Sequence, residues 1–359
     1  MYQDAQELKT GYTDSNWIVD GDLTQWPDGT SQTGLGALKT YVSALWFSQL
    51  SSTVGRGTGS RVTDVPTLAE SGHQSAYSLK WDCTTIDASP ATTDLLSYVY
   101  VITGSDYANL HGGKEMTFSF WHKHTKTGVQ SGSFQNSARD RSYIFTYEQT
   151  ISNTWEKATI NFTTDTTGTW LFTEADVGMR ISLMILTGGS FSDTTADTWL
   201  AQDERGHDEQ VNNVDSTSNN MLFSQFCLRF GNSGEFTSPP ISTVQDQVAY
   251  YVETLGPGAD NHESFGSGVV YTSGDAYCHG PKYQRKRITP AISVEGSNPV
   301  LRIFAGQNVQ SCTVHAFQSV GYTECRSRII PATSNLTIGY GCWYGGAGGN
   351  AYILVDARY

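Results

Sequence analysis

The sequence predicts an all-β fold of two consecutive β-sandwiches, a larger one and then a smaller one, joined by a segment with one short helix. Three observations carry this expectation. The first is composition: 36 Gly, 9 Trp, 19 Tyr and 15 Phe stand against only 16% charged residues, a balance that suits strands and turns better than helices. The second is alternation. In Glu115-Met-Thr-Phe-Ser-Phe-Trp-His-Lys-His124, Met116, Phe118 and Phe120 fall on one side of an extended strand and Thr117, Ser119, Trp121 and Lys123 on the other. Downstream, Ala158, Ile160 and Phe162 alternate with Lys157, Thr159 and Asn161, as half-buried strands do. Strands with one apolar face bury it by stacking in layers. The third is length, since 359 residues exceed what one hydrophobic core serves.

In chain order, residues 1–15 are polar and unpatterned and read as an N-terminal arm. Residues 16–230 form the first sandwich. It opens on Asn16-Trp-Ile-Val19, which runs into turn residues at Asp20-Gly21 and Pro27-Asp28-Gly29,. Tyr77, Leu79 and Trp81 alternate with Ser78, Lys80 and Asp82, and Leu95 to Ile102 is a further strand. A Gly/Ser/Gln-rich stretch from Gly128 and a strand from Ser142 to Gln149 separate the two alternating segments. The apolar run Ile181 to Leu186 reads as a central strand. A long polar loop from Gly188 to Asn220 precedes the closing strand, Met221 to Phe230. In the linker, 231–261, Val244, Val248, Tyr251, Val252 and Leu255 recur at helical spacing, the one candidate helix. Alternation resumes in the C-terminal β-domain, 262–359.

The formal charge of −13 argues against nucleic acid or an anionic membrane surface as partner. The one basic run, Lys282-Tyr-Gln-Arg-Lys-Arg287, reads as a solvated edge strand, with a binding patch as the alternative. No stretch of about 18 apolar residues is present, and Met1-Tyr-Gln-Asp lacks the pattern of a signal peptide, so the expectation is a soluble chain. The six cysteines form no C-x-x-C pair. A Cys312–Cys325 bridge is open if two strands bring them together, against the reducing conditions expected for a chain without an export signal.

No catalytic signature is present: no G-x-S-x-G elbow, H-E-x-x-H, Walker A loop or dinucleotide fingerprint. Asp203, Glu204, Asp208 and Glu209 are the candidates for the paired carboxylates of a glycosidase, and a solvated acidic loop is the preferred reading of such a charge run. His122 and His124 share a strand face at a spacing that suits a metal. They also continue the row of Met116, Phe118 and Phe120, which makes them hydrogen-bonded histidines at a strand end.

Several of these pieces resemble a family of bacteriophage tail-fibre and virion-appendage proteins that carry a carbohydrate-binding-module-like jelly roll before a small C-terminal β-domain. Asp20-Gly-Asp-Leu23 stands where the family has Asn-Gly-Asp-Phe, with Trp26 at the matching aromatic. Tyr77-Ser-Leu-Lys-Trp81, Gly113 to Lys123 and Thr154-Trp-Glu-Lys-Ala-Thr159 resemble its middle strands. Leu228 to Tyr251 is similar to the closing strand and a linker ending in two tyrosines, with Gln247-Val-Ala249 in place of the family's Cys-Gln-Arg. Tyr283 to Ser293 and Gly345 to Ala357 are similar to its last domain.

The resemblance implies a jelly roll, a non-enzymatic role in the virion as tail fibre or receptor-binding appendage, a homotrimer with other virion proteins as partners, and a host cell-surface glycan as ligand. It requires no cofactor, and it points to a structural Ca²⁺ at Asp20 and Asp22, residues that turn chemistry alone also explains. Glycan stacking needs flat aromatic faces. Trp46, Phe47, Trp170 and Trp199 in Gly/Ser/Thr-rich loops and Trp343 and Tyr344 beside Gly345 are the candidates, whereas Trp17, Trp26, Trp81 and Trp155 read as core. The alternatives are a capsid decoration protein or head fibre without a receptor role and, third, a polysaccharide depolymerase.

Overall fold

The structure is a computed structural model and describes residues 16–36, 38–231, 236–256, 264–295, 301–305, 308–331, 336, 338, 341–346 and 352–359. The expected N-terminal arm, 1–15, lies outside the described residues. The chain divides into two compact units, Met1–Val244 and Gln245–Tyr359.

The strands of the first unit are β1 (Ser31–Leu35), β2 (Thr40–Tyr41), β3 (Phe47–Leu50), β4 (Arg56–Val62), β5 (Ser78–Thr85), β6 (Leu95–Thr103), β7 (Glu115–His124), β8 (Gly128–Gln135), β9 (Ser142–Gln149), β10 (Glu156–Thr163), β11 (Val177–Thr187), β12 (Ser192–Asp193), β13 (Trp199–Leu200), β14 (Gly206–His207) and β15 (Asn220–Phe230). They build a six-stranded sheet, β1-β4-β5-β15-β7-β10, a seven-stranded sheet, β13-β9-β8-β11-β6-β3-β2, and a two-stranded parallel pair, β12-β14. From β5 to β8 each successive strand crosses to the other sheet, and β10, β11 and β15 do so again. This crossing is the jelly-roll pattern.

The alternation of β7 decides which side faces in. Its partner β10 pairs Ile160 with Phe118 and Phe162 with Met116, so both apolar rows point the same way. Phe118 meets Phe134 of β8 at 5.8 Å and Phe145 of β9 at 5.9 Å between ring centroids, both from the opposite sheet. Trp81 and Tyr98, likewise from opposite sheets, meet edge-on, and all five rings are buried.

Two short helices interrupt this pattern, α1 (Leu68–Ser71) and α2 (Gly104–Leu110). The alternation left no room for them, because each is set by capping rather than periodicity. Thr67 and Glu70 form a reciprocal capping box on α1, and the Thr103 hydroxyl accepts the Asp106 amide at the start of α2,. A third helix, α3 (Ile241–Ala249), follows Pro239-Pro240 and buries Val244 and Val248.

The loop from Gly188 to Asn220, expected as solvated, folds down on the outer side of the seven-stranded sheet. Gln135 Nε2 donates to Asp203 Oδ1 at 2.8 Å, the His207 amide donates to Ser131 Oγ at 3.1 Å, and the Ser142 hydroxyl donates to the Gln202 carbonyl at 2.9 Å. Polar outward residues of β8 and β9 give this loop its hydrogen bonds.

The second unit holds β16 (Val252–Leu255), β17 (Ser264–Thr272), β18 (Asp275–Lys282), β19 (Ala291–Glu295), β20 (Leu301–Ala305), β21 (Asn308–Gln318), β22 (Glu324–Pro331), β23 (Gly341–Gly346) and β24 (Tyr352–Asp356). Six of them close into a barrel, β17-β18-β22-β21-β20-β23, beside a three-stranded sheet, β16-β24-β19. The smaller β-domain is therefore a barrel with an added sheet rather than a second sandwich. Closure pairs every strand edge, which alternation within single strands does not reveal.

The basic run divides. Lys282 and Arg285 are exposed, but Lys286 is fully buried, its Nζ 2.7 Å from Glu253 Oε2, and the Arg287 guanidinium lies 3.7 Å from the centre of the Tyr359 ring. Half of the supposed solvated edge is thus part of the packing.

Cys325 is a buried free thiol. In the β21–β22 ladder Cys312 stands opposite Pro331, six residues from Cys325 and so about 20 Å along the strand, which rules the bridge out. Cys278 and Cys342 bring their Sγ atoms to 3.6 Å, yet both pair with the intervening Gly268. Their sulfur separation is longer than the roughly 2 Å of a disulfide bond,. Alkylation in denaturant without reductant is expected to label Cys278, Cys325 and Cys342 fully, and reductant to leave the melting temperature unchanged.

Candidate functional site

The outward row of β7 leads to the site. Register places Lys80 opposite Ser60, Leu222 opposite Lys80 and Lys123 opposite Leu222. Four adjacent strands, β4, β5, β15 and β7, thus present one row of side chains on the outer face of the six-stranded sheet. Over this row lies a cleft of about 400 Å³ lined by Val62, Asp64, Lys80, Lys123, Asn153, Asn220 and Leu222. Its floor is partly apolar, from Val62 and Leu222, and its walls carry ammonium, carboxylate and amide groups.

One wall is the segment after β4. Asp64 Oδ2 lies 2.7 Å from Lys123 Nζ, and its Oδ1 accepts from Trp155 Nε1 at 3.1 Å. The Asp64 carbonyl accepts from Ser78 Oγ at 2.6 Å. Across the cleft Lys80 Nζ pairs with Asp82 Oδ1 at 2.7 Å. The turn between β9 and β10 also lines the cleft, and there Asn153 takes a left-handed φ of 56°, a conformation asparagine tolerates.

Two side chains fasten that turn from within. Gln149 Nε2 donates to the carbonyls of Ile151 and Thr154 at 2.8 and 2.9 Å. The Glu156 carboxylate accepts from the amides of Thr150 and Ile151. Burial opposes the Glu156 charge, but those hydrogen bonds hold its carboxyl below the usual range,.

Trp121 stands opposite Ser224 and Lys157, two residues from Lys123 on the same outward row, and is half-buried. Trp155, which the sequence reads as core, is buried, with its Nε1 reaching Asp64 at the cleft. The signal for Trp121 and Lys123 was the alternation itself, which put both on the face away from the phenylalanines. Asp64, Asn153 and Asn220 come from turns and strand ends and carried no such signal.

The residues named as glycan-stacking candidates lie elsewhere. Trp46 is 1% exposed, its ring 4.3 Å from Phe226 and 5.4 Å from Tyr100. It is a core residue and has no face to offer a sugar, because Phe226 of β15 and Tyr100 of β6, from the two sheets, pack on its ring. Phe47 is buried beneath Lys39, whose Nζ stands 4.3 Å from the ring centre. Trp170 is buried against Tyr107 at 4.7 Å. Trp199 meets it edge-on at 5.6 Å and stays half-buried, its Nε1 donating to the Thr163 carbonyl. Trp170 and Trp199 are thus brought together, away from Trp46 and Phe47. The side chains of Trp343 and Tyr344 lie outside the described residues.

Asp20 and Asp22 are both buried. Asp20 accepts from the Thr24 amide and hydroxyl and the Gln25 amide. Burial, reinforced by Asp22, outweighs those bonds and pushes the Asp20 carboxyl up to about 7. Asp22 turns to Ser75 Oγ at 2.6 Å and His73 Nε2 at 3.0 Å. Their oxygens are engaged by protein donors, and among the described residues no three His, Cys, Asp or Glu side chains converge as metal ligands. The acidic loop is also engaged: Asp203 is bound by Arg205 through two contacts of 2.9 and 2.7 Å, while burial raises the Glu204 carboxyl.

No protein-family model matches this chain, and no curated protein matches it in sequence. Among solved structures it is similar to the CBM22-1 xylan-binding domain of Xyn10C from Paenibacillus barcinonensis, at 8% identity over 62% of this chain and 99% of that one, TM-score 0.31. The CBM22-1–CBM22-2 tandem of the same protein is matched at 9% identity over 93% of this chain and 99% of that one, TM-score 0.28. The family 11 carbohydrate-binding module of Lic26A-Cel5E from Clostridium thermocellum is matched at 12% identity over 57% of this chain and 96% of that one, TM-score 0.29. With every TM-score this low, the sandwich rests on its own strand order and packing.

Proposed function

We propose that this chain is a non-enzymatic glycan-binding protein whose ligand lies in the cleft over β4, β5, β15 and β7. The observation that carries the reading is the cleft itself: an open, partly apolar trough with paired charges and amides along its walls and Trp121 beside it on the same face. Sugars are held by such combinations of an aromatic face and hydrogen-bonding side chains. Binding is favoured over cleavage because Asp64 and Asp82, the carboxylates at the cleft, are each ion-paired with a lysine.

Affinity electrophoresis against a panel of soluble polysaccharides, including xylan, mixed-linkage β-glucan and bacterial surface polysaccharides, tests this. Retardation by at least one member is expected, and Trp121→Ala and Lys123→Ala are each expected to weaken it about tenfold, near 1.4 kcal/mol. Their folding stability changes by no more than about 1 kcal/mol, as for exposed ion pairs and surface positions. Retardation by none of the panel, or variants that bind as the parent does, removes the proposal. Release of reducing ends overturns the non-enzymatic part.

The finer reading, a tail fibre or receptor-binding appendage of a phage particle, rests on the sequence resemblance alone. In that setting a homotrimer would present three clefts to a host surface glycan and gain by multivalency. Immunogold labelling of particles distinguishes a tail position from the capsid position of a decoration protein or head fibre. The Ca²⁺ that the same resemblance implies at Asp20 and Asp22 would compete with the hydrogen bonds these carboxylates already make. Calorimetry with and without EDTA is therefore expected to give one melting temperature.

A further inference from the structure

Behind the Asn153 wall of the cleft, on the inner face of β7, lies a buried pair of histidines that neither the core nor the cleft requires. His122 and His124 stack with ring centroids 5.0 Å apart, and both are essentially inaccessible. His122 Nδ1 sits 3.0 Å from Gln149 Oε1. His124 packs on Phe223 of β15 at 5.2 Å and on Tyr147 of β9 at 5.9 Å. Neither of its ring nitrogens meets a hydrogen-bond partner among the described residues. A neutral imidazole already has one donor and one acceptor to satisfy, and a charged one has two donors and a full charge to solvate. His124 has no means of meeting that second demand in place.

The end of β7 that carries the pair is joined to the cleft wall through the Gln149 side chain, one backbone hydrogen bond and the Ser152 hydroxyl. Gln149 Oε1 accepts from the His124 amide at 2.8 Å and faces His122, while its Nε2 holds the Ile151 and Thr154 carbonyls. The Asn153 amide donates to the His124 carbonyl at 2.9 Å, and Ser152 Oγ donates to the Thr125 carbonyl at 2.6 Å. We infer that protonation of His122 and His124 is an acid switch that releases the turn from 150 to 155 and so opens the Asn153 wall of the cleft. The inference rests on the reading of that cleft as the binding site.

The groups facing the pair support this direction. From β9 come Tyr147 and Gln149, from β15 Phe223, and from β7 itself Phe120; the one charge acting on His122 is Glu156 of β10. Glu156 favours a charged His122, but burial outweighs it and lowers the His122 imidazole to about 4. Burial, and then His122, hold His124 well below its ordinary value. The charge therefore enters only with water, and the end of β7 has to part from β9 and the turn to admit it.

Amide hydrogen exchange on the full chain at pH 7 and pH 5, corrected for the intrinsic pH dependence, tests the switch without any ligand. Protection at Ile151 and Asn153 is expected to fall at least tenfold on acidification, while amides of β11 keep theirs. In His124→Phe, which fills the site without a titrating group, the fall is expected to shrink because His122 still titrates, and in His122→Gln/His124→Phe to vanish; His122→Gln alone supplies the same comparison as the first variant if that one does not fold. Equal corrected protection at both pH values, or an undiminished fall in the variants, overturns the inference. Loss of turn protection in a protein that no polysaccharide retards would sink the binding reading and leave the switch standing.

Discussion

Trp46→Ala is expected to destabilise the first unit by about 3–5 kcal/mol, the range for removing a buried aromatic side chain. The ring is buried and packs on Phe226 and Tyr100, so truncation loses contacts to both sheets and leaves a cavity between them. The indole Nε1 has no hydrogen-bond partner among the described residues, which makes its burial a cost rather than a gain. Trp46→Phe keeps most of the apolar volume and drops that donor, and is expected to be the milder change. Denaturant melts on both variants check this. A Trp46→Ala protein as stable as the parent, with polysaccharide retardation lost, would return Trp46 to the surface. Trp121→Ala is expected to show the reverse pattern, intact stability with weakened binding.

The stability of the sandwich against pH is expected to be the sum of two opposed tilts, separable by substitution. His122 titrates near 4 in the folded chain against about 6.5 unfolded. Between those values the unfolded chain binds the extra proton, so stability falls as pH drops, by about 3 kcal/mol in all. His124 adds to the same slope. Asp20 works the other way. Its carboxyl is raised to about 7, so the folded chain holds a proton that the unfolded chain releases above its ordinary value of 3.8. Stability then falls as pH rises from about 4 to 7, by about 4 kcal/mol.

Measured by denaturant melts at intervals from pH 4 to pH 7.5, Asp20→Asn is expected to gain on the parent as pH rises, and His122→Gln as pH falls. Profiles of both variants that run parallel to the parent would show that neither group titrates as its surroundings require. The net profile of the parent is the less telling measurement, because the two slopes offset each other over much of the range.

Much of the fold was legible because strands announce themselves by a period of two. The rows of β7 and β10, the apolar run of β11 and the closing β15 were all readable in that way, and the outward set of Trp121 and Lys123 came with them. Burial was misread where aromatic residues sat in segments without alternation. Trp46 and Phe47 look like loop residues because the strands around them, β2 and β3, are only 2 and 4 residues long, yet Trp46 fills the core. Trp155, read as core, is buried as expected, and its Nε1 donates to Asp64 at the cleft. Lys286 looked solvated from the charges beside it, and its burial depends on Glu253, 33 residues earlier.

Local order along the chain determined that this protein is made of strands, where the long central ones lie, and which side of them is apolar. Only the tertiary structure decided which strands adjoin, and with them the cleft, the histidine pair and the closure of the barrel. The reason is physical: a side chain's alternation is set by its nearest neighbours in sequence, whereas register brings together Lys80, Lys123 and Leu222 from strands far apart in the chain.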